Sequence, residues 1–170
     1  METTNVKMTL GASIILKSMI DAILTKEEEV SGQKVRVSRN LPFRLSYRLN
    51  KNLMIFEKDI KAFEFAKTEL LAKYGELNEE GTQVEIKDDE KLKLYNEGIQ
   101  NLLSFHISHE IVKLEPEDLE RINDEDISFS SDAMKLFIGY LTNDPDLLKE
   151  IETRLNFEEV ITNKEQANGW

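Results

Sequence analysis

Residues 40–53 read NLPFRLSYRLNKNL, and the secondary structure assigned to them decides the architecture. Phe43, Leu45, Tyr47 and Leu49 alternate with Arg44, Ser46, Arg48 and Asn50, which is the period of a half-buried strand. A longer window reverses this reading. Leu45, Leu49, Leu53, Phe56, Ile60, Phe63, Leu70 and Tyr74 recur at steps of three, four or seven. At about 100° per residue they fall within roughly 100° of one another, on one helix face. The longer pattern prevails and predicts a helix over 42–74. Asn40 can cap it, Pro42 suits a first turn where its missing N–H is harmless, and Gly75 closes it as a C′ glycine. At ~1.5 Å per residue the helix would be close to 50 Å long, the spine of the molecule.

The same stretch is a charge anomaly. The chain has a formal net charge of -11, yet no Asp or Glu occurs from Val30 to Phe56, where Lys34, Arg36, Arg39, Arg44, Arg48 and Lys51 fall. Up to Gly75 there are 13 Lys and Arg against 9 Asp and Glu, a net of +4; from Glu76 onward 9 stand against 24, a net of -15. On the spine helix Arg44, Arg48, Lys51 and Lys58 lie within about 80° of each other, centred almost opposite the apolar face. They form a basic stripe with no aromatic residues interleaved on it. Its counterpart is an acidic block from Glu115 to Asp132, in which Glu115, Glu117, Asp118, Glu120, Asp124, Glu125 and Asp126 form a candidate acidic face. Such polarity means that the halves attract each other or that one of them faces a charged partner.

Working outward from the spine, Val6, Met8 and Leu10 alternate with polar residues as a short strand punctuated by Gly11. Ile15, Leu16, Met19, Ile20, Ile23 and Leu24 predict a helix from Ala12 to about Lys26, with Ser13 as a cap. Residues 30–39 read as a loop or weak hairpin around Gly32. After an acidic connector with a short strand at 84–86, Asp88 or Asp89 caps a second helix to about Leu103. That helix folds back on the spine as an antiparallel hairpin. Phe105, Ile107, Ile111 and Val112 suggest a strand that pairs with Val6–Leu10. A short helix is expected over 117–122, another over 132–141 capped by Ser130 or Ser131, and an amphipathic one over 145–155 before a frayed tail. The predicted fold is α+β and mainly α: a long antiparallel helical hairpin, flanking helices and a small antiparallel sheet. Residues 1–142 form one domain and 143–170 a helical appendage.

Composition removes several function classes. There is no cysteine among the 170 residues, which excludes disulfide frameworks, thiol catalysis and Cys-ligated zinc. No apolar run is long enough to span a bilayer, and METTNVK lacks the basic start of a secretion leader. The reading is a soluble cytosolic protein. His106 and His109 form H-x-x-H, but on a strand the odd spacing puts them on opposite faces and co-ligation of a metal fails. The acidic runs lack the glycine and alternating oxygens of a calcium loop, and no phosphate-cradling loop or nucleophile elbow is present. No cofactor or catalytic residue is assigned. Nucleic-acid binding through the stripe is disfavoured by the net charge and the missing aromatics.

The start of the spine resembles a phage and prophage family of unknown function, catalogued as domain of unknown function 1617. Leu41, Pro42, Leu45, Tyr47, Leu49, Lys51 and Asn52 match its opening motif, Ile107, His109 and Ile111 its later strand, and Leu119 with Glu120 its last piece. The match covers about residues 6–141, and Ser130, Ser131 and Asp132 depart from the family's Ser-Pro. The resemblance implies a phage origin and no known catalytic residues. With the acidic half and the absence of an active-site pattern, it implies a protein that binds a host or phage protein stoichiometrically in the host cytoplasm. Inhibition of a host defence or nucleic-acid-processing factor fits best; the alternative is a virion structural or assembly protein, with possible homo-oligomers.

Overall fold

The computed structural model describes residues 2–122, 127, 129–142, 144 and 146. In chain order the elements are β1 (Thr3–Thr9), α1 (Leu10–Leu24), β2 (Thr25–Val30), β3 (Gln33–Ser38), α2 (Phe43–Tyr74), β4 (Glu76–Leu77) and β5 (Val84–Glu85). There follow α3 (Asp89–Leu103), β6 (His106–Val112), α4 (Pro116–Ile122) and α5 (Ser131–Thr142). The fold is mainly α with antiparallel strands, in three two-stranded ribbons: β1–β6, β2–β3 and β4–β5. The first is the expected pairing, with Val6 opposite His109 and Met8 opposite Ile107.

Helix α1 is the centre of the core. Leu10, Ala12, Ile15, Leu16, Met19, Ile20, Ile23 and Leu24 are all buried, a helix apolar nearly all round and therefore enclosed on several sides. Leu45, Leu49 and Phe56 of α2, Ile111 of β6 and Leu136, Phe137 and Leu141 of α5 pack with it in the main cluster, while Leu10 packs with Phe63 and Leu103 in a smaller one. The helix starts two residues before the expected point. Thr9 caps it by accepting from the Ala12 N–H at 3.2 Å, so Gly11 lies inside the helix and does not end a strand. Ser13, expected as the cap, is wholly buried within it.

Of the two readings of residues 30–39, loop or weak hairpin, the structure has the hairpin, and its first strand begins at Thr25, earlier than expected. Ser31 and Gly32 both have positive φ, 56° and 78°, as a two-residue turn matched to strand twist requires. Its cross-strand partners include Glu27 with Arg36 and Glu29 with Lys34. Lys34 lies 3.7 Å from Glu27. Arg36 donates to the Thr25 hydroxyl at 2.7 Å, and Arg39 to the Thr25 carbonyl at 3.2 Å. Half of the basic window is thus engaged by this hairpin, Lys34 near its turn and Arg36 and Arg39 toward its foot.

The spine is α2, 32 residues from Phe43. Pro42 occupies the capping position itself, with no side-chain cap, because its fixed φ already sets the entry. Gly75 does close the helix, but at φ -90° and not in the left-handed region. The reason for glycine is space: a Cβ there would collide with Val84 Cγ1 and come within 2.7 Å of the Leu71 carbonyl oxygen. Because one of those atoms is backbone, Gly75→Ala is expected to destabilise the protein by about 1–2 kcal/mol, read as a lower urea midpoint.

Asp88 caps α3 by accepting from the Lys91 N–H at 2.8 Å, and α3 packs back along α2. The buried residues of α2 end at Phe63, and α3 buries only Leu103. Beyond that level the hairpin is an arm of two helices with the β4–β5 ribbon at its tip. Ser130 caps α5 through the Ala133 N–H at 3.2 Å. The appendage 143–170, with its helix expected over 145–155, lies outside the described residues except for Asp144 and Asp146.

Candidate partner-binding surface

Two residues of the expected basic stripe, Arg44 and Arg48, grip two of the expected acidic face, Glu115 and Asp118. Segment 113–118 crosses the N-terminal part of α2, and Arg48 reaches into it. Its guanidinium donates to Glu115 Oε1 at 2.7 Å and to Asp118 Oδ2, while Arg44 donates to the same Glu115 oxygen at 3.1 Å. Asp118 also accepts from the Glu115 N–H at 3.0 Å. Arg48 is 3 % exposed and Asp118 is 7 % exposed. The hydrogen bond from Arg48 holds the Glu115 carboxyl below its usual range, against the opposing effect of burial.

This corrects two expectations. Arg48 does not belong to a surface stripe: it follows Leu45 by three residues and precedes Asn52 by four, so it lies on the flank of the buried face. Asp118 does not belong to an acidic face, because it neutralises Arg48 inside the fold. Glu117 and Glu120 are exposed on α4, Glu115 is half-buried, and Asp124, Glu125 and Asp126 lie outside the described residues.

What remains outward on α2 is a different line. Phe43, Tyr47, Lys51, Met54, Lys58, Lys61 and Phe65 step by four, four, three, four, three and four, which keeps them on one side of the helix. All are exposed, Phe43 at 85 %, Met54 at 66 % and Phe65 at 67 %. Phe43 and Tyr47 pair at 6.1 Å between ring centroids, and the Lys51 ammonium lies 5.6 Å from the Tyr47 ring. Phe43, Arg44, Tyr47 and Arg48 line an open cleft of about 370 Å³. Aromatics are therefore interleaved with the lysines, contrary to the sequence reading. The signal was present in the alternation of residues 43–49: Leu45 and Leu49 face inward, Phe43 and Tyr47 outward.

A second polar group is buried where α1, α2 and β6 meet. His109 Nε2 lies 3.4 Å from Ser13 Oγ and 3.2 Å from Asp59 Oδ2, with the Phe56 ring edge-on at 5.5 Å. Asp59 Oδ2 is buried and, despite that approach, has no aligned hydrogen bond. Both oxygens address the same ring nitrogen, whereas a nucleophile relay needs them on opposite nitrogens. His106 is exposed on the other face of β6. Among the described residues no three His, Asp or Glu side chains are placed to hold a metal ion, and no helix is long and apolar enough to cross a membrane.

Burial pushes the His109 pKa down from 6.5, and Asp59 opposes this only partly. A folded pKa below the unfolded one means that the unfolded chain binds more protons as pH falls. The stability from neutral His109 is complete above about 6.5 and is lost as pH falls from there through the folded value. Between about pH 7.5 and 5.5 the urea midpoint is expected to fall in the native protein. In His109→Gln it should stay nearly level across the same interval.

Compared with protein-family models, with curated proteins and with solved structures, the chain gives no match.

Proposed function

We propose that the protein acts without catalysis, by stoichiometric binding of a protein partner through the outward line of α2. The observation that carries this reading is the run of large apolar side chains left in solvent on a rigid helix. Tyr, Phe, Met and Arg are the residues that anchor protein interfaces, and an exposed apolar patch of this kind needs a reason. The motif resemblance at 41–52 supports a phage origin, and with it a host defence or nucleic-acid-processing factor as the target, bound and inhibited in the host cytoplasm. A second reading, virion structure or assembly, is favoured by the α2–α3 arm, where Leu77, Val84 and Leu94 are exposed as in a part awaiting a neighbour.

Tyr47→Ser with Phe65→Ser tests the binding reading directly. Both side chains are outside the core, so the urea midpoint should barely move, while affinity for a partner captured from host lysate should fall tenfold or more, about 1.4 kcal/mol. Unchanged affinity would remove the outward line from the interface. Detection of the chain in purified particles would favour the virion reading over the inhibitor.

A further inference from the structure

We infer that the element seated on the outward line of α2 is an acidic amphipathic helix of the partner; this rests on the binding reading above. The charge left after folding points to it. Lys34 and Arg36 are matched within the β2–β3 hairpin, Arg39 on carbonyls beside it, and Arg44 and Arg48 on Glu115 and Asp118. Lys51, Lys58 and Lys61 make no ion pair among the described residues and stand between Tyr47, Met54 and Phe65. On α2, Glu57 and Glu64 lie about 80° and 100° around the helix from the centre of this line, and Glu69, closer to its azimuth, stands beyond its end, about 12 Å along the axis past Lys61. A partner that covered the apolar side chains would also desolvate the three ammonium groups, which is costly unless carboxylates come with it.

Spacing selects the shape. Tyr47, Lys51, Met54, Lys58, Lys61 and Phe65 alternate four and three, the seam along which a second helix packs at a shallow angle. A strand, with side chains repeating every two residues, would leave alternate positions unmatched. Single-stranded nucleic acid fits less well. Phe43 and Tyr47 form a single aromatic pair at one end of the line, with Tyr47 about 27 Å from Phe65 along the helix, which is no continuous stacking platform, and the net charge of -11 repels a polyanion.

The test uses the isotope-labelled full chain and three probes: a helical peptide with a Leu seam and Glu flanks, its counterpart with Lys flanks, and an oligo-dT strand. The Glu peptide should shift the NMR signals of Tyr47, Met54, Lys58 and Phe65, with affinity falling several-fold between about 50 and 300 mM salt. Lys51→Glu, Lys58→Glu and Lys61→Glu together should lose the Glu peptide and gain the Lys peptide, the remaining spectrum reporting an intact fold. Binding of neither peptide, equal binding of both, or stronger shifts of the same signals by the oligonucleotide would overturn the inference. If the triple charge reversal leaves capture of the natural partner intact while Tyr47→Ser with Phe65→Ser abolishes it, the partner is a protein but not an acidic one. If neither set affects capture, the binding surface itself is misplaced.

Discussion

Arg48→Ala is expected to destabilise the protein by about 3 kcal/mol, because it leaves Asp118 buried without its cation. The lower end of the usual range applies, since Glu115 is half-exposed and water can reach one side of the group. The loss comes from the unpaired charge and not from the pair's intrinsic worth: two charges withdrawn from water recover about what their desolvation cost. Arg48→Met with Asp118→Leu, which removes both charges and keeps the volume apolar, should recover most of the lost stability. Arg44→Ala should change it by no more than about 0.5 kcal/mol, because Arg44 is exposed and its contact with Glu115 is screened. Urea unfolding of the four proteins measures all of this. An Arg48→Ala protein within about 1 kcal/mol of native would show that the guanidinium is hydrated and that segment 113–118 is held by something else.

The spine, the fold-back of α3 and the β1–β6 pairing were legible because each rests on periodicity, which reports burial directly. Caps were legible where a short polar side chain could reach the backbone, as at Asp88 and Ser130. Thr9 was missed because Gly11 looked like a break, although two strong apolar neighbours kept it helical. Arg48 was missed for a different reason. A helical wheel assigns charged residues to water, and only the position of segment 113–118, about 70 residues further on, decides that this one is buried; no local pattern carries that information. The outward line of α2 was partly legible, since its spacing is in the sequence. The alternation of residues 43–49 looked like a strand because two helical faces, one buried and one exposed, are both apolar there. The opening charge anomaly resolves into hairpin contacts of Lys34, Arg36 and Arg39, the ion pairs of Arg44 and Arg48 with segment 115–118, and one surface lysine, Lys51.

Asn52 carries the other large expectation. It lies one helical turn beyond Arg48, is wholly buried, and makes two hydrogen bonds to one residue of β6. Its Oδ1 accepts from the Val112 N–H at 2.7 Å and its Nδ2 donates to the Val112 carbonyl at 2.8 Å. The amide thus stands in for a neighbouring strand at the edge of β6 that faces α2. Asn52→Ala orphans a buried donor and a buried acceptor together, so the expected loss is about 2–4 kcal/mol. Asn52→Asp should not rescue it, because the carboxylate keeps the acceptor but sets a negative charge against the Val112 carbonyl. Hydrogen exchange separates this from simple cavity formation: the Val112 amide should lose protection before the amides of α1. Val112 leads within three residues to Glu115, so Asn52 and Arg48 fasten the same short segment to α2 at two consecutive turns. Their effects should therefore be less than additive. Once Asn52 no longer fixes the end of β6, Asp118 can drift toward water, and removal of Arg48 then strands a charge that is no longer buried. A double variant that cost the full sum would mean that α4 is positioned independently of β6, by the packing of Leu119 and Ile122 in the core.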